Sequence, residues 1–201
     1  MEKAGVTVGK PDKKMGQEGS QIADIYLDDV HVDGDALLGG EEGQGFRTAM
    51  MSLDNGRLSV AAASAGYARR ILDTAMKYAL ERKAFGEPIS QFQLIQAMLA
   101  DSESEIYAAE CMLKDATAKV DAGEPSLLPA ASTKLFASEM CNRVANRCVQ
   151  IHGGAGYLAE YEAERFYRDS RIYTIYEGTS QIMQLVIAKA MLRNFAAGGQ
   201  A

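Results

Sequence analysis

One carboxylate stands out by its neighbours. Glu177 closes the apolar-aromatic run Tyr173-Thr174-Ile175-Tyr176 and is followed at once by Gly178, Thr179 and Ser180. A carboxylate on a loop among apolar side chains suits a general acid or base. Gly178 permits a positive φ or a close backbone approach, and Thr179 or Ser180 can cap the helix that runs on to about Phe195. The plain alternative is a surface glutamate near a helix N-terminus, stabilised by the dipole alone. Local pattern by itself leaves that alternative standing.

Other residues could serve a bound group. Asp54 and Arg57 in Leu-Asp-Asn-Gly-Arg are three apart and can meet on one helix face, as a surface ion pair or as ligand contacts. Arg82-Lys83-Ala84-Phe85-Gly86, with Pro88 behind it, ends a helix and leaves cations and an aromatic at its C-terminus. Gln150-Ile-His-Gly153-Gly154-Ala-Gly156 follows another helix, where the glycines serve as C-caps or admit a ligand to the backbone. Arg165, Arg168 and Arg171 recur every three residues, but the intervening acids predict an ion-pair network rather than a phosphate patch. The glycines at 39–45 do not form a dinucleotide fingerprint and read as a turn and helix start.

The elements that position these groups are mostly helical. Gly5, Gly9, Pro11, Gly16 and Gly19 punctuate the first forty residues, and the alternation at Ala23, Ile25 and Leu27, with Val30 and Val32 beyond, predicts one or two strands. From about Phe46 to Arg82 a helix carries Met50, Leu53, Val60, Ile71 and Tyr78 near one stripe. Phe92, Ile95, Leu99, Ser102, Ile106, Ala109 and Leu113 alternate three and four apart, a bundle seam from about Ser90 to Val120. A third helix is expected over about Pro129–Ile151, a short charged one over Tyr161–Arg171, and a last one from about Thr179 to Phe195.

Composition narrows the function. The 201 residues are 47% hydrophobic and 24% charged with a net charge of −6, which is ordinary for a soluble protein and argues against nucleic acid as partner. No run approaches the roughly 18 apolar residues of a membrane span, and no targeting segment is read at the N-terminus. Cys111, Cys141 and Cys148 have no metal-ligand spacing and are expected to be buried free thiols in a reducing compartment. With His31 and His152 as the only histidines, no metal site is expected.

Taken together, Ile-Tyr-Glu-Gly-Thr-Ser-Gln, Leu-Asp-Asn-Gly-Arg, Arg-Lys-x-Phe-Gly-x-Pro-Ile, Gln-x-x-Gly-Gly-x-Gly and Glu-Arg-x-Tyr-Arg-Asp occur in the order found in acyl-CoA dehydrogenases, and the chain closely resembles that family along essentially its whole length. The resemblance implies a mainly α fold: a four-helix antiparallel bundle over residues 41–201, preceded over 1–40 by a short β remnant and linker. It implies Glu177 as the base that removes the α-proton of an acyl-CoA, with hydride passing to FAD, in the manner of fatty-acid β-oxidation. It implies FAD contacts at Arg82, Phe85, Gln93, Gln150, Gly153, Gly154, Thr179 and Gln181, shared across a subunit interface, and substrate contacts at Asp54, Arg57 and Gly178. Gly56 stands where long-chain and isovaleryl members place a glutamate, so the chain resembles the short- and medium-chain type.

Members of the family are about twice this length, with a further helical domain and a complete β-domain. The expectation is therefore of a C-terminal portion that alone binds FAD weakly or not at all. Electron-transferring flavoprotein is the expected electron partner and a homo-oligomer, dimer or tetramer, the expected assembly, because the helices carry more apolar surface than one small bundle buries. A cytoplasmic location in a bacterium, or the mitochondrial matrix in a eukaryote, is expected. The competing readings are an acyl-CoA oxidase, a flavin monooxygenase of the same fold, against which Glu177 counts because such relatives generally lack the base, and a non-catalytic, flavin-free helical fragment or partner subunit.

Overall fold

The computed structural model describes residues 4–198, with the side chains of Asp54 and Asn55 outside the description. The chain divides into two compact units, Met1–Ser52 and Leu53–Ala201. The division falls inside the first long helix, seven residues beyond Gly45, the last glycine of the turn at which composition changes.

In the first unit, strands β1 (Val6–Val8) and β2 (Ile25–Leu27) pair antiparallel, with Val6 opposite Leu27 and Val8 opposite Ile25. Val8, Ile25 and Leu27 all remain largely exposed, since a two-stranded ribbon cannot bury a face by itself. Val30 and Val32 lie outside any strand. Asp29 takes a φ of +47° just before them, which ends the extended geometry.

Helix α1 (Gly45–Glu81) leads into the second unit, which continues with a minimal hairpin of β3 (Lys83–Ala84) and β4 (Glu87–Pro88), then α2 (Gln93–Asp121), α3 (Leu127–His152), α4 (Glu162–Ser170) and α5 (Ser180–Ala196). The expected antiparallel helical bundle is present. Helix α3 is its centre and packs against α2, α4 and α5. The interior is built from small residues: Ala61, Ala65, Ala68, Ala75 and Ala79 of α1 and Ala131, Ala137 and Ala145 of α3 are buried and let the helices approach closely. Ile71, Ile106, Met140 and Val144 are fully buried between them, each contributing about 1.5–3 kcal/mol of apolar burial.

Helix α2 begins at Gln93 because Ile89–Gln91 form a 3-10 turn, and α3 begins two residues before Pro129. Proline is tolerated there because first-turn N–H groups have no intrahelical partner. The arginines of α4 pair as expected, Arg165 with Glu162 and Arg168 with Glu164, and Arg70 of α1 also reaches Glu162. Cys141 and Cys148 are buried free thiols, pushed up to about 12 by burial. Cys111 departs from the expectation: it is exposed, because position 111 falls between the seam positions Ala109 and Leu113 and faces outward.

Candidate functional site

Glu177 sits in the turn between α4 and α5. It has a φ of +54°, and Gly178 follows at +93°, so two successive residues are left-handed. For a residue with a Cβ this costs roughly 1 kcal/mol, and the turn is held by what surrounds it. Thr179 is the N-cap of α5, its hydroxyl accepting from the Ile182 N–H at 3.2 Å. Gly178 has no spare room: a Cβ there would stand 2.7 Å from Met183 Cε.

The Glu177 side chain reaches back to α1. A Cβ added at Gly56 would lie 2.8 Å from Glu177 Cδ, so the carboxyl group rests directly on the helix backbone where α1 lacks a side chain. Its Oε2 is buried and, among the described residues, makes no hydrogen bond. A buried carboxylate oxygen without a donor costs about 1–3 kcal/mol or more, and such an atom in a folded protein points to a strained or reactive role. Arg57, one residue beyond Gly56, is buried at 8% exposure rather than lying on the surface. The Asp54 side chain lies outside the described residues. Tyr173 is buried beneath the turn and packs on Tyr67 and Tyr176, with ring centroids 6.0 and 5.9 Å away. Burial pushes the Tyr173 phenol up to about 12. Ile175 and Tyr176, expected to enclose the carboxylate, are themselves exposed.

Two side chains that no sequence pattern singled out meet this turn. Lys134 of α3 is completely buried and donates from Nζ to the Gly178 carbonyl at 2.6 Å. Burial holds its ammonium below the usual lysine range, partly offset by the charges of Glu139 and Glu177, while Arg57 adds to the depression. Glu139, also on α3, accepts from the Ser180 hydroxyl at 2.5 Å. The available signal was a lysine inside the buried stripe Ala130, Ala131, Ala137, Cys141; its partner, 44 residues on, has no local signature.

The remaining candidates lie elsewhere. Arg82 precedes the β3–β4 hairpin, Phe85 stands fully exposed at its tip with a φ of +54°, and Gln93 opens α2. Phe85 meets Phe92 edge to face at 6.1 Å, which gathers these residues into one exposed patch. Gln150 is exposed on the last turn of α3, and nothing lies within 4 Å of where a Cβ would stand at Gly153 or Gly154. The fold itself therefore does not require a bare backbone at Gly154. Tyr78 stacks on His152 at 4.0 Å and ties the ends of α1 and α3 together, so both groups sit at one end of the bundle. Burial lowers the basicity of His152, whose Nδ1 donates to the Cys148 carbonyl at 2.8 Å.

Glu177, Thr179 and Gln181 sit at the other end. Gly56, against which Glu177 rests, and Glu81, beside Arg82, are separated on α1 by about 37 Å at 1.5 Å per residue. Clefts of about 530 and 550 Å³ run along α3 and α4, around Asn142, Arg147 and Tyr167 and around Val149, Tyr157 and Arg168; Glu177 lines neither. Among the described residues no cluster of His, Cys, Asp and Glu could hold a metal ion, and no helix is long and apolar enough to cross a membrane.

The sequence matches the family model for the acyl-CoA dehydrogenase C-terminal domain over residues 43–192. Over 189 residues it is 46% identical to subunit CarC of the caffeyl-CoA reductase–Etf complex of Acetobacterium woodii, covering 94% of this chain and 50% of that protein. The structure superposes on butyryl-CoA dehydrogenase of Megasphaera elsdenii with a TM-score of 0.92 at 42% identity, covering 95% of this chain and 50% of that one. It also matches an acyl-CoA dehydrogenase from Bacillus anthracis solved with FAD, with a TM-score of 0.91 at 34% identity, covering 98% of this chain and 37% of the other. The chain spans about half the length of the curated relatives it matches. On these grounds it belongs to the acyl-CoA dehydrogenase family, of which it carries the C-terminal helical domain.

Proposed function

We propose that this chain supplies the base and part of the flavin site of an FAD-dependent acyl-CoA dehydrogenase, with Glu177 removing the α-proton of the thioester. The observation that carries the reading is the Glu177 Oε2, buried without a donor among the described residues and seated on the bare backbone at Gly56. A carboxylate so placed has a lone pair available for a proton.

The residues present fit a flavin dinucleotide. Arg82 and Gln93 offer donors for pyrophosphate and adenine, Phe85 an exposed ring, and Gly153 and Gly154 a backbone open to close approach, while Thr179 and Gln181 adjoin Glu177. Bound FAD would supply the two-electron redox step, accepting the β-hydrogen as hydride. These two groups lie at opposite ends of the bundle, so a single flavin touching both draws on two copies of the chain. That is the basis for proposing a homo-oligomer.

The chain's own part is positional and electrostatic. Asp54, Arg57 and Gly178 hold the thioester, and the Glu177 backbone N–H is offered to its oxygen, where enolate charge develops. Glu177 holds the proton after transfer. The relationship to a caffeyl-CoA reductase subunit favours a second direction for the same groups: protonated Glu177 then delivers its proton to the α-carbon of an α,β-unsaturated thioester. The Etf complex named for that relative supports electron exchange with an electron-transferring flavoprotein.

The test is Glu177→Gln in the FAD-loaded enzyme, with flavin reduction by a short acyl-CoA followed by stopped flow. The reduction rate should fall by at least about 10²-fold. A Gln variant within about threefold of the parent removes Glu177 from the mechanism.

A further inference from the structure

Helix α3 holds the turn that carries Glu177 at two points. Lys134 donates to the carbonyl of Gly178, the residue directly after Glu177, at 2.6 Å, and Glu139 accepts from Ser180 at 2.5 Å. Lys134 is the largest fully buried side chain among the described residues. Burying an ammonium costs several kcal/mol unless it is well paired, so its retention inside the stripe that also contains Ala137 and Cys141 calls for a return. Among the described residues it makes no salt bridge. Its hydrogen bond goes to a backbone carbonyl, while Glu139 on the same helix is engaged by the Ser180 hydroxyl.

The bonded carbonyl sits where backbone freedom would matter most. Glu177 and Gly178 are both left-handed, a pairing that persists only when the surroundings over-determine it. Relaxing Glu177 to negative φ would swing the carboxyl group off Gly56, and it would also turn the Gly178 peptide away from α3. A buried cation bonded to that peptide opposes the rotation.

We propose that Lys134 is a positioning residue: its buried ammonium, bonded to the Gly178 carbonyl, fixes the turn that aims Glu177. The proposal rests on Glu177 being the base, but the geometry it asserts is measurable without catalysis.

The variants are Lys134→Met, which keeps the length and removes the donor, and Lys134→Arg, which keeps a cationic donor. Hydrogen exchange of residues 176–183 is compared with that of α3, and kcat and KM are measured on the FAD-loaded enzyme. In Lys134→Met, exchange in the turn and first turn of α5 should rise at least about tenfold while α3 beyond Ala137 stays within about twofold. kcat should fall at least about tenfold, and by a larger factor than KM rises, because a misplaced base affects the chemical step more than binding. Lys134→Arg should recover most of both. Unchanged exchange in a folded Lys134→Met, or a raised KM at parental kcat, overturns the proposal.

Ser180→Ala provides an arm that leaves the buried lysine and its bond to Gly178 in place. With Lys134 still in place, exchange in the turn should rise less than about threefold; a loosening of tenfold or more would show that Ser180 and Glu139 are the anchor instead. A turn that loosens as expected in a protein whose parent reduces no flavin counts against the proposed function and leaves the positioning role intact.

Discussion

Gly56→Ala separates the base's position from the fold's stability. The substitution places a methyl group 2.8 Å from Glu177 Cδ, and closer still to Oε2. Carbon atoms in contact sit about 3.5–4.0 Å apart, so the carboxyl group must retreat by about 1 Å. It can do so because it is the free end of a side chain, at a cost of about 0.5–1.5 kcal/mol if χ angles leave their wells. Against this, alanine in a helix interior is favoured over glycine by about 0.5–1 kcal/mol. The two nearly cancel, and at about 2–4 °C per kcal/mol the Tm should move by less than about 4 °C in either direction. The rate should not be spared: a displacement of about 1 Å at a catalytic group costs about 10²-fold. The assay pairs calorimetry with flavin reduction by a short acyl-CoA. A variant with unchanged Tm and unchanged rate would refute the claim that the Glu177 carboxyl works from its seat on Gly56. A Tm lowered by 10 °C or more would show that the carboxylate cannot retreat.

Three further outcomes follow from the structure. At neutral pH a thiol reagent should modify Cys111 promptly and reach Cys141 and Cys148 only on unfolding; since burial raises both from 9.0 to about 12, their contribution to stability is complete below pH 9 and is lost as pH rises from there towards 12, which a urea titration at several pH values reads out. His152 has the opposite sign: its folded basicity is depressed below 6.5, so stability present above that value falls as pH drops, and His152→Phe, which keeps an aromatic against Tyr78, should flatten the slope between pH 7 and 5. Sedimentation at micromolar concentration should give a dimer or larger, because Leu185, Leu192 and Phe195 leave an apolar face exposed on α5; a clean monomer contradicts the shared flavin site.

Much of this was legible in the residues. The three-four spacing from Phe92 to Leu113 marked α2, and Gly-Thr-Ser after Glu177 marked the turn and cap of α5, because both are set by neighbours within a few positions. Arg57 was visible as a residue but not as a buried one, since an i,i+3 charge pair on a helix reads as surface until the packing is known. Lys134 was hidden for a similar reason: its charge argues for solvent, and only the fold brings Gly178 to it. Cys111 and the stretch at Val30–Val32 went the other way, the first because hydrophobicity does not report which face a residue takes, the second because the left-handed Asp29 ends the strand. The seat of Glu177 on Gly56 depends on a contact across 121 residues that no periodicity encodes.

The central claim, that Glu177 exchanges a proton with the α-carbon, is tested most directly by following solvent deuterium into the α-position of a saturated acyl-CoA under anaerobic conditions. The FAD-loaded enzyme should wash deuterium into that carbon, Glu177→Asp should do so more slowly, and Glu177→Gln should be slower than the parent by about 10²-fold or more. Exchange at the parental rate in Glu177→Gln would contradict the account.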